Sequence, residues 1–330
     1  MVSMPGRCNL MIMGSFNTEK TLMRNLIFGN RRFDELGVSR AADEQQMQYR
    51  YLHGTKVLMQ DFIQRKDYRP YHFSEYGNFF YNCHYFLFVL NAYETPEVIE
   101  EDFAHYIKCL NKLQEKAPNA RVFVMLHKKK ESNNVAELPV KTPWKTDEEY
   151  KLLEERFHEV TKPIGKFEKE LTIYRTNIDN ATYFTAWSAM VRTIRPSFSA
   201  GWEKKLAELV VEWGAEEIVI FEGHTLFTVA QAGTGKYTQP QRLEKIAISL
   251  KRFSEPYTQP SRPVHSLQSR FANFQLVVQP FYLSTYMMVV TQNMETTVEE
   301  MSAKIRALRL KYEDVYNTES RWYDARFAQE

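Results

Sequence analysis

Residues 8–21 read CNLMIMGSFNTEKT. An apolar run at 8–13 meets Gly14, and a Lys20–Thr21 pair follows it. A continuous apolar run of this length is a strand covered on both faces. Beyond the turn, Leu22, Leu26 and Ile27 stand at helical spacing and predict a helix over 21–30. A doubly covered strand passing through a glycine turn into a helix commits the chain to an α/β layer architecture, because helices must cover both faces of the sheet.

The rest of the first 195 residues agrees. A polar, irregular stretch at 30–48 precedes a hairpin at 48–62 around Gly54. Further buried strands are predicted at 85–92 (YFLFVLNA), 120–126 (ARVFVML) and 171–178 (LTIYRTNI). Helices alternate with them at 98–117, 148–164 and 181–194, the first carrying Ile99, Phe103, Tyr106, Ile107, Leu110 and Leu113 on one face. Alternating strands and helices give a doubly wound, mostly parallel sheet. A polar insertion fills 128–148. RPSFSAG at 195–201 marks a boundary, so the domains are expected at 1–195 and 196–330. The second domain reads as a helix (202–213), a hairpin turning at Gly223–His224, a helix (242–253), strands at 271–279 and 284–292, and a closing helix (297–310). Thr297 and Glu300 form a capping box at its start. That order predicts a small α+β domain.

Two domains suit 330 residues at roughly 100–200 residues each. A net charge of +2 without a basic stripe argues against a nucleic-acid partner. Cys8, Cys83 and Cys109 lack close spacing, which reads as buried reduced thiols and not as a metal site. No apolar run is long enough to cross a bilayer, and neither a signal peptide nor a lipidation motif is visible, so no direct membrane insertion is expected. His72, His84 and His105 lie among aromatics and read as core or surface residues.

Two stretches carry chemistry. The first is nearly the phosphate-binding pattern G-x-x-x-x-G-K-[ST]. There, glycines let backbone N–H groups curl around phosphates at a helix N-terminus, lysine reaches the β/γ-phosphates and the hydroxyl meets Mg²⁺. Gly14, Lys20 and Thr21 fit, but Glu19 replaces the second glycine. Its Cβ stands where the backbone often needs positive φ, and its carboxylate is placed near phosphate charge. The second is VFVMLHKKK at 122–130, a strand ending like the guanine-reading [NH]-K-x-D. His127 and Lys128 fit, but Lys130 takes the Asp position. A lysine only donates, and so cannot accept guanine's N1–H and N2–H.

Together with YRTNIDNATYFTAWSAMV, GAEEIVIFEG and STYMMVV, these stretches resemble the Rag/Gtr small GTPases of the Rag A type, in order and over nearly the whole chain. The resemblance implies a P-loop GTPase domain followed by a roadblock-like domain. It implies GTP/GDP and Mg²⁺ as ligands and heterodimerisation with a Rag C-type subunit. It also implies docking on a Ragulator-type scaffold at the lysosomal or vacuolar surface, and amino-acid control of the target-of-rapamycin complex. By position, nucleotide contacts fall at Phe16, Asn17, Glu19, Lys20, Thr21, Leu22, Ser39, His127, Lys130 and Ile178, with Asn177 beside the last. Thr21, Ser39 and Asp61 are the implied Mg²⁺ ligands. The family's D-x-G-G-Q meets DFIQR here, so Ile63, Gln64 and Arg65 stand over G-G-Q and both glycines are lost. Gln64 is the implied water-orienting residue only if the loop shifts by one position.

The residues leave two readings open. Lys20, Thr21, Ser39 and Asp61 suit a GTP/GDP switch. Glu19, Lys130 and the missing glycines suit a pseudo-GTPase that keeps the fold as a protein-binding platform, with nucleotide binding and hydrolysis impaired.

Overall fold

The computed structural model describes residues 7–14, 18–28, 46–52, 55–61, 80–128, 145–178, 182–194, 196–223, 225–235, 242–254, 266–282 and 285–327. The chain divides into two compact units, Met1–Met190 and Val191–Glu330.

The first unit is built on β1 (Arg7–Gly14), α1 (Lys20–Phe28), β2 (Gln46–Leu52), β3 (Thr55–Asp61), β4 (Tyr85–Asn91), α2 (Pro96–Lys116), β5 (Arg121–Lys128), α3 (Asp147–Thr161), β6 (Thr172–Asn177) and α4 (Thr182–Arg192). The sheet order is β2-β3-β1-β4-β5-β6. All neighbours run parallel except β2 and β3, which pair antiparallel from Gln46–Asp61 to Leu52–Thr55; Gly54, expected at the turn, lies outside the described residues. β2 starts at Gln46, inside the stretch read as irregular, because its polar alternation carries no apolar run. α3 ends at Thr161, short of the expected 164, and a 3-10 helix continues over Lys162–Lys169, bent at Gly165 where φ is 64°. Pro163 lies in its first turn, where a missing N–H does no harm.

β4 is buried along its whole length, and so is β5 after its first residue. Phe88, on β4, meets Tyr106 edge-on with centroids 5.1 Å apart, and Phe103 lies 4.6 Å from Phe157. The Thr161 hydroxyl donates to the Phe157 carbonyl at 2.6 Å, so at 3.0 Å it must accept from the buried Tyr106 hydroxyl. The Tyr106–Thr161 bond ties α2 to α3 inside an apolar cluster. His105 is buried with its Nε2 3.8 Å from Cys109 Sγ, and half-buried His84 accepts the Asn9 N–H through Nδ1 at 3.2 Å. Burial holds the His84 pKa below its ordinary value, which keeps that nitrogen an acceptor at neutral pH. His72 lies outside the described residues.

The second unit comprises α5 (Pro196–Trp213), β7 (Glu217–Glu222), β8 (Thr228–Gly233), α6 (Arg242–Ser254), β9 (Leu267–Arg270), β10 (Gln275–Pro280), β11 (Thr285–Thr291) and α7 (Val298–Phe327). Its sheet is antiparallel, ordered β8-β7-β11-β10-β9. Trp202, Leu206 and Leu209 of α5 and Met301, Ile305 and Leu308 of α7 share one core with Ile218, Ile220, Val277 and Val289 of the sheet. On the strand positions facing the other way, Glu217 pairs with Arg242 of α6. The β7–β8 turn is fixed by the buried Glu222 carboxylate, which accepts from both the backbone and the hydroxyl of Thr225 at 2.6 Å. The capping box at Thr297 and Glu300 forms, with bonds of 2.9 and 3.1 Å.

Several expectations shift. α5 begins at Pro196, so most of RPSFSAG is helical. The strand read over 271–279 is a turn, with Phe271 and Phe274 stacked at 4.4 Å, followed by β10. β9, missed in the sequence, is a polar edge strand with alternating exposure. α7 runs beyond 310 to Phe327.

Gly14 adopts φ 141°, and a Cβ there would lie 2.0 Å from the Val89 carbonyl oxygen. Backbone cannot yield as a flexible side chain can. Gly14→Ala is therefore expected to destabilise the first unit by about 3 kcal/mol or more, read from urea unfolding. Burial pushes the Cys8 and Cys83 thiols up to about 12. A raised pKa means thiol and not thiolate at pH 8, so Ellman's reagent should modify neither until the protein unfolds; rapid labelling of the folded chain would contradict this.

Candidate functional site

Because β1, β4, β5 and β6 are parallel, their C-terminal ends line one edge, at Gly14, Asn91, Lys128 and Asn177. β1 lies between β3 and β4, so the chain leaves it first to one side and later returns on the other. Such a switch point opens a crevice at the strand ends, where ligands of doubly wound sheets bind.

The start of α1 lies at that crevice, with Glu19 touching the end of β5. Thr18 and Lys20 are buried, and the Lys20 ammonium donates to Thr18 Oγ1 at 2.9 Å. Glu19 precedes the helix, its carbonyl accepting from Met23 N at 2.8 Å, and its φ is 57°. That is the left-handed region anticipated for the missing glycine, occupied here by a residue with a Cβ at a cost of about 1–2 kcal/mol. The carboxylate reaches His127 at the end of β5, with Oε2 3.1 Å from Nε2. His127 is fully buried, and its Nδ1 lies 3.0 Å from Thr176 Oγ1 on β6. A carboxylate only accepts, so Nε2 carries the proton, and the Thr176 hydroxyl can satisfy Nδ1 as donor or acceptor. A continuous hydrogen-bonded chain thus joins the P-loop turn, β5 and β6.

The geometry therefore revises two expected roles. Glu19, expected from the sequence against the phosphates, bonds to His127. His127, placed against the base, has both ring nitrogens engaged within the protein.

A second group surrounds Tyr93, just beyond β4. The Lys128 and Lys145 ammoniums lie 5.1 and 5.6 Å from its ring centroid. Its hydroxyl accepts from Lys145 N at 2.7 Å and lies 3.3 Å from the Tyr150 hydroxyl. The Arg175 guanidinium covers the Tyr150 ring at 4.9 Å and pairs with Asp147 and Glu154 of α3, both at 2.7 Å. Asn177 donates through Nδ2 to the Lys128 carbonyl at 3.1 Å, holding the ends of β5 and β6 together, and Ile178 is buried next to it. Sequence reasoning missed Tyr93 and Thr176. Their one legible signal is position, since both fall at strand ends on the crevice edge.

Leu22 is half-buried on α1. The backbones of Thr21 and Asp61 lie in α1 and β3, with Asp61 paired to Ile12 and Gln46. Their side chains, and Phe16, Asn17, Ser39, Ile63, Gln64, Arg65 and Lys130 entirely, lie outside the described residues. Among the described residues, no group of three or more His, Cys, Asp or Glu side chains could hold a metal ion.

Residues 9–250 match the model of the Gtr1/RagA G protein conserved region, which takes in the P-loop, all but the first two residues of the six-stranded sheet and the first part of the second unit. The chain belongs to the Gtr1/RagA family. Ras-related GTP-binding protein B of Rattus norvegicus is 23% identical over 92% of this chain and 85% of its own. Ras-related GTP-binding protein A of Dictyostelium discoideum is 23% identical over 94% and 98%, and GTP-binding protein gtr1 of Schizosaccharomyces pombe 25% identical over 88% and 90%. The parallel sheet is thus the P-loop GTPase fold of a Gtr1/RagA protein, and the antiparallel unit is its C-terminal domain.

In this Gtr1/RagA chain the Tyr93 hydroxyl serves Lys145 N and Tyr150 together. Tyr93→Phe is expected to lower stability by about 1 kcal/mol, and Tyr93→Ala by more because both lysines lose their ring. Chemical denaturation of the pair of variants checks the order.

Proposed function

We propose that this chain is the Rag A-type subunit of a Rag heterodimer in amino-acid signalling to the target-of-rapamycin complex, acting as a pseudo-GTPase. Its nucleotide domain keeps the fold and serves as a protein-binding surface, while a Rag C-type partner carries the switching. The observation that carries this reading is Glu19, at φ 57° and bonded to buried His127. A side chain occupies the position that a P-loop leaves bare, and the residue expected at the base is committed elsewhere. Lys130 and the loss of both switch glycines at Ile63 and Gln64 add to it. These residues do not fit a resident GTP with Mg²⁺, and no hydrolytic step is assigned to them.

The second unit supports heterodimerisation. Its order of helix, hairpin, helix, three strands and helix, with strands arranged β8-β7-β11-β10-β9, suits a roadblock-like domain. No helix among the described residues is long and apolar enough to cross a membrane. Recruitment to the lysosomal or vacuolar surface is accordingly assigned to a Ragulator-type scaffold.

One observation favours a second reading, a slow GTP/GDP switch. With its carboxylate turned to His127, Glu19 places less negative charge in the phosphate cradle, where Gly14 and Lys20 persist. Nucleotide content separates the two. The purified heterodimer is denatured and its supernatant resolved by ion-pair chromatography. The pseudo-GTPase reading expects at most the single guanine nucleotide held by the partner. Two per heterodimer would sink it. Millimolar GTP with Mg²⁺ should leave this subunit's melting temperature unmoved, whereas binding at 1,000 Kd would add about 4 kcal/mol.

A further inference from the structure

We propose that Met13, His105 and Cys109 form a binding site for a soft monovalent metal ion, Cu(I), in the core of the first unit. The proposal stands whether or not the chain holds a nucleotide.

The three ligands come from two elements. Met13 is the penultimate residue of β1. His105 and Cys109 lie one helical turn apart on α2, so their side chains share a face. The Cys109 Sγ is 3.6 Å from Met13 Sδ and 3.8 Å from His105 Nε2. Met13 and Cys109 are wholly buried and His105 nearly so, and the Phe88 ring flanks the imidazole with centroids 6.0 Å apart. One thiol therefore stands beside a thioether lone pair and an imidazole nitrogen, with a single proton to offer. That proton serves one neighbour at a time. A metal ion in its place serves both.

The spacing suits such an ion. With bonds of about 2.3 Å to sulfur and 2.0 Å to imidazole nitrogen, the lengths zinc shows with these atoms, the separations of 3.6 and 3.8 Å subtend angles of about 103° and 124° at the metal. Three-coordinate geometry accommodates both. The ligand set selects the ion, because thiolate with thioether favours Cu(I) over zinc, magnesium or calcium. Charge points the same way. A Cys109 thiolate with a monovalent cation is neutral, whereas a divalent ion would leave a net charge among the apolar side chains of this cluster. Loading is a ligand exchange. Cu(I) passes from the thiolate of a carrier such as glutathione to Cys109 Sγ, the thiol proton passes to the carrier's thiolate, and no electron is transferred. Cysteine spacing in the sequence shows no such site, because Met13 and His105 join Cys109 only through the packing of α2 on β1.

Cys8 and Cys83 are buried thiols as well, and Cys83 donates to the Tyr85 carbonyl at 3.3 Å. They serve as internal controls. The full chain is incubated without oxygen with Cu(I)–glutathione, desalted, and titrated with the Cu(I) chelator bicinchoninate. Loading is repeated during refolding from urea, so that a closed core cannot hide the site. One Cu(I) per chain is expected, with X-ray absorption showing two sulfurs at about 2.3 Å and one nitrogen at about 2.0 Å. Cys109→Ala should lose the metal. Met13→Leu conserves volume and should weaken retention at least about tenfold, the cost typical of even an outer-shell partner. Cys8→Ala and Cys83→Ala should retain it. Where Cys109→Ala fails to fold, Met13→Leu and the absorption spectrum of the wild type decide. No copper retained by either loading route, copper kept by folded Cys109→Ala, undiminished retention in Met13→Leu, or copper lost with Cys8 or Cys83 overturns the site.

Discussion

The close approach of Gly14 to Val89 is the constraint on which the site depends. β1 is the strand from which the P-loop springs, and it lies in the interior of the sheet between β3 and β4. At its last residue the backbone takes a φ of 141° and passes so near the Val89 carbonyl that no side chain fits. From that fixed exit the turn reaches α1, and the first residue before the helix faces the end of β5. Glu19 meets His127 because Gly14 sets where the loop begins and the parallel register sets where β5 ends. The same register brings Asn91, Lys128 and Asn177 to one edge, where Tyr93 and Asn177 knit the strand ends together.

The consequence is a contact at the crevice between Glu19, just before α1, and His127 of β5. In a nucleotide-binding P-loop protein, glycine backbone and a pairing loop are kept open for phosphate and base. In this chain Glu19 and His127, which fall at two of the corresponding positions, bond to one another. A charged residue in a left-handed turn and a buried imidazole would each be costly alone. Joined, each satisfies the other's hydrogen-bonding demand, and the buried nitrogen is not left unpaired. Glu19 and His127, which look in the sequence like unrelated motif positions, thus form a single reorganised contact.

Much of the fold was legible in the sequence, for a clear reason. β4 and β5 are doubly buried and read as unbroken apolar runs, and α2 shows its core face at helical spacing. The hairpin and the capping box at Thr297 are short-range signals and also emerged. What escaped was what depends on pairing at an edge. β9 carries Leu267–Arg270 with a single half-buried apolar residue, and its strand character comes from hydrogen bonds to β10. At the site, the motif positions of Glu19 and His127 were visible, but not that they bond, because no spacing rule links residues 108 apart. Tyr93 and Thr176 were invisible for the same cause: their roles come from the register of parallel strands and not from their own neighbours in the chain.

If Glu19 and His127 have closed the site on each other, the crevice between Lys20 and His127 no longer takes a guanine nucleotide. Equilibrium titration of the full chain with a fluorescent guanosine triphosphate analogue and Mg²⁺ tests this directly. No saturable signal is expected up to millimolar analogue, and no difference between the wild type and Lys20→Ala. Saturable binding in the micromolar range that Lys20→Ala abolishes would contradict the closed site.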